Sequence, residues 1–277
     1  MANLHHLRML AEALTATTVA DLLVLPESFT GVPPEDGDDA SAEQAEQFLA
    51  TLARACNVNV VGGSIPRRAD DGAIYNTCHL VDRTGASVGT YRKRRLFAHE
   101  RETRTPGDAA GVFEIDGMRI GVLICSDLWH PDLSHELIGR VDLLCVPSAT
   151  VVHAEGNREY ARGTWHQLAM VRAMECGFAV AVSDWADARH ASMRIVDGVE
   201  VNDVRWTAGV SSLSDPSHRP ELRRMQQTTP KGREGHLVGT VHLEKLQTFR
   251  DYRQKAGLLP EPPGEVMTND EIPMTKE

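Results

Sequence analysis

Five short runs rich in Val, Ile and Leu constrain this chain more than any other feature. Asp21–Pro26, Val58–Ser64, Met118–Ile124, Asp142–Pro147 and Phe178–Ser183 are too short for typical helices and too continuously apolar to face water on either side. They read as strands buried on both faces. Between them, helical periodicity runs over about 2–18, 41–55, 131–139 and 161–176. Segments 74–82 and 86–91 flank Asp82-Arg83-Thr84-Gly85, which predicts a hairpin because the glycine accommodates the reversal. Strand and helix alternate, so the expected class is layered α/β. The stretch 186–235 is polar and less regular, with candidate strands near 208–213 and 222–227. A clearer strand is expected at His236–Val241, then a helix to about Lys255. Residues 1–257 read as one domain, and the Pro- and acid-rich 258–277 as a tail with too little apolar surface to offset its ordering.

Several function classes are disfavoured by composition. A net charge of -10 offers no basic footprint for nucleic acid. No run approaches the roughly 18 apolar residues of a membrane helix, and the opening MANLHHLRMLAEAL lacks a secretory layout. A cytoplasmic location with no membrane partner is the expectation. Five cysteines, Cys56, Cys78, Cys125, Cys145 and Cys176, are scattered singly without a CxxC pair, which suits neither a disulfide framework nor a zinc site. His130, His135 and Glu136 lie near one another, but an i, i+5 histidine spacing does not put both rings on one helical face. No metal is expected.

Three reactive groups each follow a predicted strand at its carboxyl end. Glu27 follows Leu22–Pro26, Lys93 follows the strand ending near Tyr91, and Cys125 follows Ile120–Ile124. In α/β sheets that edge is where loops turn side chains into a shared crevice. Each type has a use. A thiol attacks a carbonyl carbon as thiolate and needs a base, which Glu27 can provide. The attack places negative charge on oxygen, for which Lys93 and the amide of Ser126 are suitable partners. Taken singly, each residue has a blander reading. A strand-end cysteine is usually a core thiol, a glutamate after Leu-Pro suits a helix start, and Arg92-Lys93-Arg94-Arg95 suits a solvated loop. The three in order favour chemistry.

These residues resemble the motifs of the nitrilase superfamily of carbon-nitrogen hydrolases. Leu25-Pro26-Glu27-Ser28-Phe29-Thr30-Gly31, Tyr91-Arg92-Lys93-Arg94-Arg95-Leu96-Phe97 and Gly121-Val122-Leu123-Ile124-Cys125-Ser126-Asp127 are similar to its three motifs, in order. Tyr75-Asn76-Thr77, Thr105-Pro106-Gly107-Asp108, Trp165-His166-Gln167-Leu168 and Arg172-Ala173-Met174-Glu175 extend the resemblance over roughly 3–255. It implies Glu27 as general base, Lys93 as stabiliser of the tetrahedral intermediate and Cys125 as nucleophile. Glu100, with Glu102 as fallback, is implied as a second glutamate that steadies the lysine. Ser126 and Trp129 are implied substrate neighbours. The implied fold is a four-layer α-β-β-α sandwich, assembled as a homodimer or higher oligomer through a helical layer. The implied reaction is hydrolysis of a small amide or carbamoyl compound through a thioester, without metal or organic cofactor.

The sequence departs from the family pattern in two places. Asn3-Leu4 arrives almost at once, so the family's first strand is expected to be missing, and Ser126 is smaller than usual after the nucleophile. Trp129 resembles a subgroup acting on carbamoyl-amines, and Asp127 argues against the nitrile-cleaving subgroup. Three competing readings follow: acyl transfer from the same thioester, a silent binding or assembly protein, and a redox-sensing thiol at Cys125 with Cys145 approaching across the sheet. Arg172 with Glu175 forms a candidate buried ion pair, and Trp129 reads more as core than as pocket wall.

Overall fold

The computed structural model describes residues 2–31, 39–186, 189–196, 199–217, 225–231 and 233–260. The chain begins in helix α1 (Ala2–Thr15), then runs β1 (Leu22–Val24), α2 (Asp39–Cys56), β2 (Asn59–Val61), β3 (Ile65–Arg68), β4 (Ile74–Val81) and β5 (Ser87–Arg92). It continues through α3 (Glu100–Thr103), β6 (Val112–Ile115), β7 (Met118–Val122), a 3-10 turn (Cys125–Trp129), α4 (Pro131–His135), β8 (Leu143–Pro147), β9 (Val151–Val152) and α5 (Arg158–Cys176). The remainder is β10 (Ala179–Ser183), β11 (Arg189–Val196), β12 (Val199–Thr207), β13 (Ser212–Ser214), β14 (Gln226–Thr228) and α6 (Leu243–Lys255).

All five buried runs became strands, each trimmed by one or more residues at an end. They divide between two sheets. The first has the order β1-β2-β4-β3 with β5 also on β4, and the second the order β14-β13-β10-β8-β7-β6. Alternation along β2 shows why the sheets stack. Val60 faces a cluster with Ala45, Leu49 and Leu52 of α2 and Ala11 of α1, whereas Val61 faces Ile120, Val122 and Leu144 of the second sheet. That second sheet turns its remaining apolar side chains to Trp165, Ala169 and Ala173 of α5. The layers are therefore α1/α2, first sheet, second sheet and α4/α5, the expected four-layer sandwich.

Other expectations need correction. The stretch 186–235 is more regular than its polarity suggests: β11 and β12 form a long antiparallel hairpin, with β9 pairing β12. β3 and β6 also escaped notice, because Pro66 and the charges in each blur the apolar run. The segment 236–241 is not a strand. It alternates in sequence, but His236, Val238, Gly239 and Thr240 stay exposed, so little burial is gained by ordering them into a ladder. The strand near 208–213 shifts to β13. Of the one near 222–227, β14 covers the last part, and residues 222–224 lie outside the described residues. Of the tail expected over 258–277, residues from 261 onward lie there too.

β1 pairs only with β2 among the described residues. A groove of about 390 Å³ runs beside it, walled by α1, β10, β13 and the 233–241 segment. No described helix is long and apolar enough to cross a membrane.

Candidate active site

Four of the residues singled out in the sequence meet at the carboxyl ends of the strands. Lys93 Nζ donates to Glu27 Oε1 and to Glu100 Oε2, both at 2.8 Å. The Cys125 thiol shares this buried cluster, near enough to the Glu27 carboxylate, the Lys93 ammonium and the Ala149 amide for each to act on its ionisation. Glu27, Lys93 and Cys125 are 6, 1 and 9% exposed, so the cluster is almost wholly withdrawn from solvent. Glu102 takes no part in these contacts; α3 carries Glu100 inward instead.

Each side chain is placed by local backbone. Cys125 adopts φ of +47° and Ser28, just after Glu27, φ of +55°. For non-glycine residues this left-handed region costs roughly 1–2 kcal/mol, and surrounding contacts must hold it. At Cys125 the result is a sharp break between β7 and the 3-10 turn. Glu27 is fixed through its backbone, whose N–H donates to the Ser148 carbonyl at 3.2 Å and whose carbonyl accepts the indole N–H of Trp185 at 2.8 Å. The Lys93 amide donates to the Asn76 carbonyl at 2.8 Å.

Electrostatics distinguish the groups. Burial opposes the charge on Lys93, but Glu27, Cys125 and Glu100 outweigh it and keep the ammonium protonated. Burial likewise works against ionised Glu100, and contact with Lys93 wins, holding its carboxyl below the usual range. The Cys125 thiol goes the other way. Burial and the neighbouring Glu27 charge push it well up, only partly opposed by Lys93 and the Ala149 amide. The Cys125 sulfur therefore rests as the protonated thiol.

Sequence reasoning missed several supporting groups. Asn76 Nδ2 donates to Glu27 Oε1 at 2.9 Å and Glu100 Oε1 at 2.7 Å, bridging the two carboxylates. Its place in Tyr75-Asn76-Thr77 was the available signal. Thr150 is held by the carboxylate of Asp184, accepting from the Thr150 amide at 2.9 Å, while burial raises the Asp184 carboxyl to about 6. Trp185 acts through its indole N–H, which no motif announced.

The remaining candidates are less central. The Ser126 hydroxyl donates to the Arg95 carbonyl at 2.5 Å. Trp129 is 47% exposed and meets Trp165 edge-on at 5.9 Å between centroids, so it is not the core residue its composition favours. Arg172 is buried and pairs with Glu175 at 2.6 Å, but Glu175 itself is partly open. Cys145 lies within β8 beside Val122, and burial drives its thiol strongly upward, which suits core packing. His135, Glu175 and Cys176 bring three possible metal-ligand atoms within 4.8 Å of one another. The Arg172 guanidinium on Glu175 and a Cys176 thiol raised to about 12 both oppose a cation there. His130 is not part of that group.

Comparison with known proteins places this geometry in context. The family model described as Carbon-nitrogen hydrolase matches residues 1–251. The chain is 31% identical over 188 residues to omega-amidase NIT2 of Xenopus tropicalis, covering 62% of this chain and 65% of that protein. It spans about half to two thirds of the length of the first curated relatives it matches. Among solved structures it is similar to a carbon-nitrogen hydrolase from Helicobacter pylori, with a TM-score of 0.72, 16% identity and coverage of 92% of this chain and 89% of that one. It also matches Nit3 of Saccharomyces cerevisiae, a member of branch 10 of the nitrilase superfamily, with a TM-score of 0.66, 22% identity and coverage of 98% and 91%. At these identities the structural likeness speaks to the fold.

Proposed function

The chain belongs to the carbon-nitrogen hydrolase family, and on that premise we propose that it hydrolyses a small amide or carbamoyl compound through a thioester on Cys125. The observation that carries the reading is the buried cluster in which Lys93 bonds Glu27 and Glu100 beside the Cys125 thiol. Glu27 takes the thiol proton as the sulfur attacks the substrate carbonyl. Lys93 and the Ser126 amide stabilise the oxyanion. Glu27 returns its proton to the departing nitrogen, and ammonia or an amine leaves a thioester behind. Water, deprotonated by Glu27, then attacks the thioester, and the released acid restores the thiol. Glu100 keeps the lysine oriented, with Asn76 bridging it to Glu27. Trp129 contributes to the substrate side of the pocket.

Five free cysteines fit a reducing cytoplasm, and the helical layer of α4 and α5 suits self-assembly as a homodimer or larger oligomer. A panel of amides, carbamoyl-amines and nitriles, assayed for ammonia with whole-protein mass read in parallel, tests the chemistry. The expected result is ammonia from an amide or carbamoyl-amine and an acyl adduct that disappears in Cys125→Ala. Ammonia release surviving that substitution removes the proposal. Adding ordinary amine acceptors at low concentration separates hydrolysis from acyl transfer, since a transferase forms new amide in preference to free acid although water is in large excess.

A further inference from the structure

We infer that Asp127 is a positioning residue that locks the loop carrying Lys93 to the turn carrying Cys125. The inference rests on the hydrolytic reading above and adds a requirement that the reactive groups alone do not contain. Asp127 is completely buried. Its Oδ1 accepts the backbone N–H groups of Arg94 at 3.1 Å and Arg95 at 2.6 Å. Its Oδ2 accepts the Tyr91 hydroxyl at 2.8 Å and the Ile124 amide at 3.0 Å. Three of these donors come from residues flanking Lys93, and the fourth from the residue preceding Cys125. One carboxylate thus fixes the separation between ammonium and sulfur.

The joint needs an acceptor and nothing else. A carboxylate has about four lone-pair sites, and here four donors fill them. Asparagine would turn its NH₂ toward one pair of donors, and a backbone N–H cannot reverse its role as a hydroxyl can. The Ser126 hydroxyl on the Arg95 carbonyl gives a second stitch between the same two segments, on the far side of Cys125. Cys125 sits at φ of +47°, so its turn depends on such ties to stay where it is. Burial raises the Asp127 carboxyl above its ordinary value, and the donors and the Lys93 ammonium offset part of that rise. A displacement of about 1 Å between reacting groups costs on the order of 100-fold in rate.

The test compares Asp127→Asn with Asp142→Asn, a buried carboxylate at the other end of the sheet, using wild-type full-length protein as reference. Three quantities are read: the thermal midpoint, kcat and KM on the best amide, and the rate of Cys125 alkylation by iodoacetamide. Both variants are expected to melt earlier. Only Asp127→Asn is expected to lose about 100-fold in kcat with KM nearly constant, and to slow alkylation by about tenfold. A folded Asp127→Asn with kcat within about threefold of wild type overturns the inference, as does an equal kcat loss in Asp142→Asn. Should Asp127→Asn not fold, Tyr91→Phe decides, since it removes one donor from Oδ2: a kcat lower by about three- to tenfold supports the joint, and an unchanged kcat overturns it. If no amide acylates the wild type, the hydrolytic reading fails instead, and the alkylation rates still show whether Asp127 positions the thiol.

Discussion

Two ion clusters, each built around a buried charge, occupy opposite ends of the second sheet's parallel strands, and their charges are mirrored. At the amino end of β8, the Asp142 carboxylate lies between Arg119 at 2.7 Å and Arg250 at 2.8 Å. At the carboxyl ends, the Lys93 ammonium lies between Glu27 and Glu100. The first cluster is saturated: Asp142 also accepts the Arg119 amide, its carboxyl falls to about 2, and Arg250 ties α6 to the Val141 and Gly177 carbonyls. The second is not, because Glu27 also faces a protonated thiol that holds the remaining proton. A buried charge with every partner supplied anchors structure, and one left sharing a proton is available for reaction.

That contrast yields predictions at both ends. The largest effect belongs to Cys125→Ala, which should lower turnover by about 10⁴-fold or more while leaving the melting temperature near wild type, as ammonia release and calorimetry would show. Lys93→Met leaves two carboxylates facing each other without their cation. It should cost about 3–5 kcal/mol in denaturant unfolding and on the order of 100-fold or more in kcat. Arg250→Met at the structural end should cost about 3 kcal/mol by the same unfolding measurement, with kcat of the folded fraction kept within about twofold. If it depresses kcat as Lys93→Met does, the two ends are not functionally distinct.

The smallest expected effect is in acid. Asp142 has a folded carboxyl near 2 against an ordinary 3.8, so its contribution is complete above the unfolded value and is lost as pH falls through the folded one. On the order of 1–2 kcal/mol should vanish between about pH 4 and 2, and Asp142→Asn should flatten that slope in urea titrations. Asp184 has the opposite sign. Its carboxyl is raised to about 6, so the folded state gains stability as pH drops through 6 toward the unfolded value, and Asp184→Asn should remove that gain.

How much of this was legible beforehand depended on whether the signal was local. Leu22–Pro26 and Leu143–Pro147 announce themselves because a strand buried on both sides must be apolar throughout. Glu27 and Cys125 were legible because each follows such a run, and Lys93 because it follows the second strand of the hairpin. Asn76, Asp127 and Trp185 were harder, since their roles depend mainly on partners distant in sequence, such as Asp127 with Tyr91 and Trp185 with Glu27. The hairpin of β11 and β12 was missed for a different reason: charged and apolar residues are mixed along both strands, and the pairing of Arg189 with Trp206 through Val196 with Val199 is a backbone register that no continuous apolar run announces. The segment 236–241 failed in reverse, having the alternation without the burial.

The withdrawal of Cys125, only 9% exposed, carries a consequence for anything that would label or poison it. Access is a matter of girth before it is a matter of electrophilicity. Slim reagents such as iodoacetamide should reach the sulfur, whereas bulky maleimides of greater intrinsic reactivity should be turned away at the entrance. An inhibitor for this thiol is best chosen first by its cross-section and only then by its warhead.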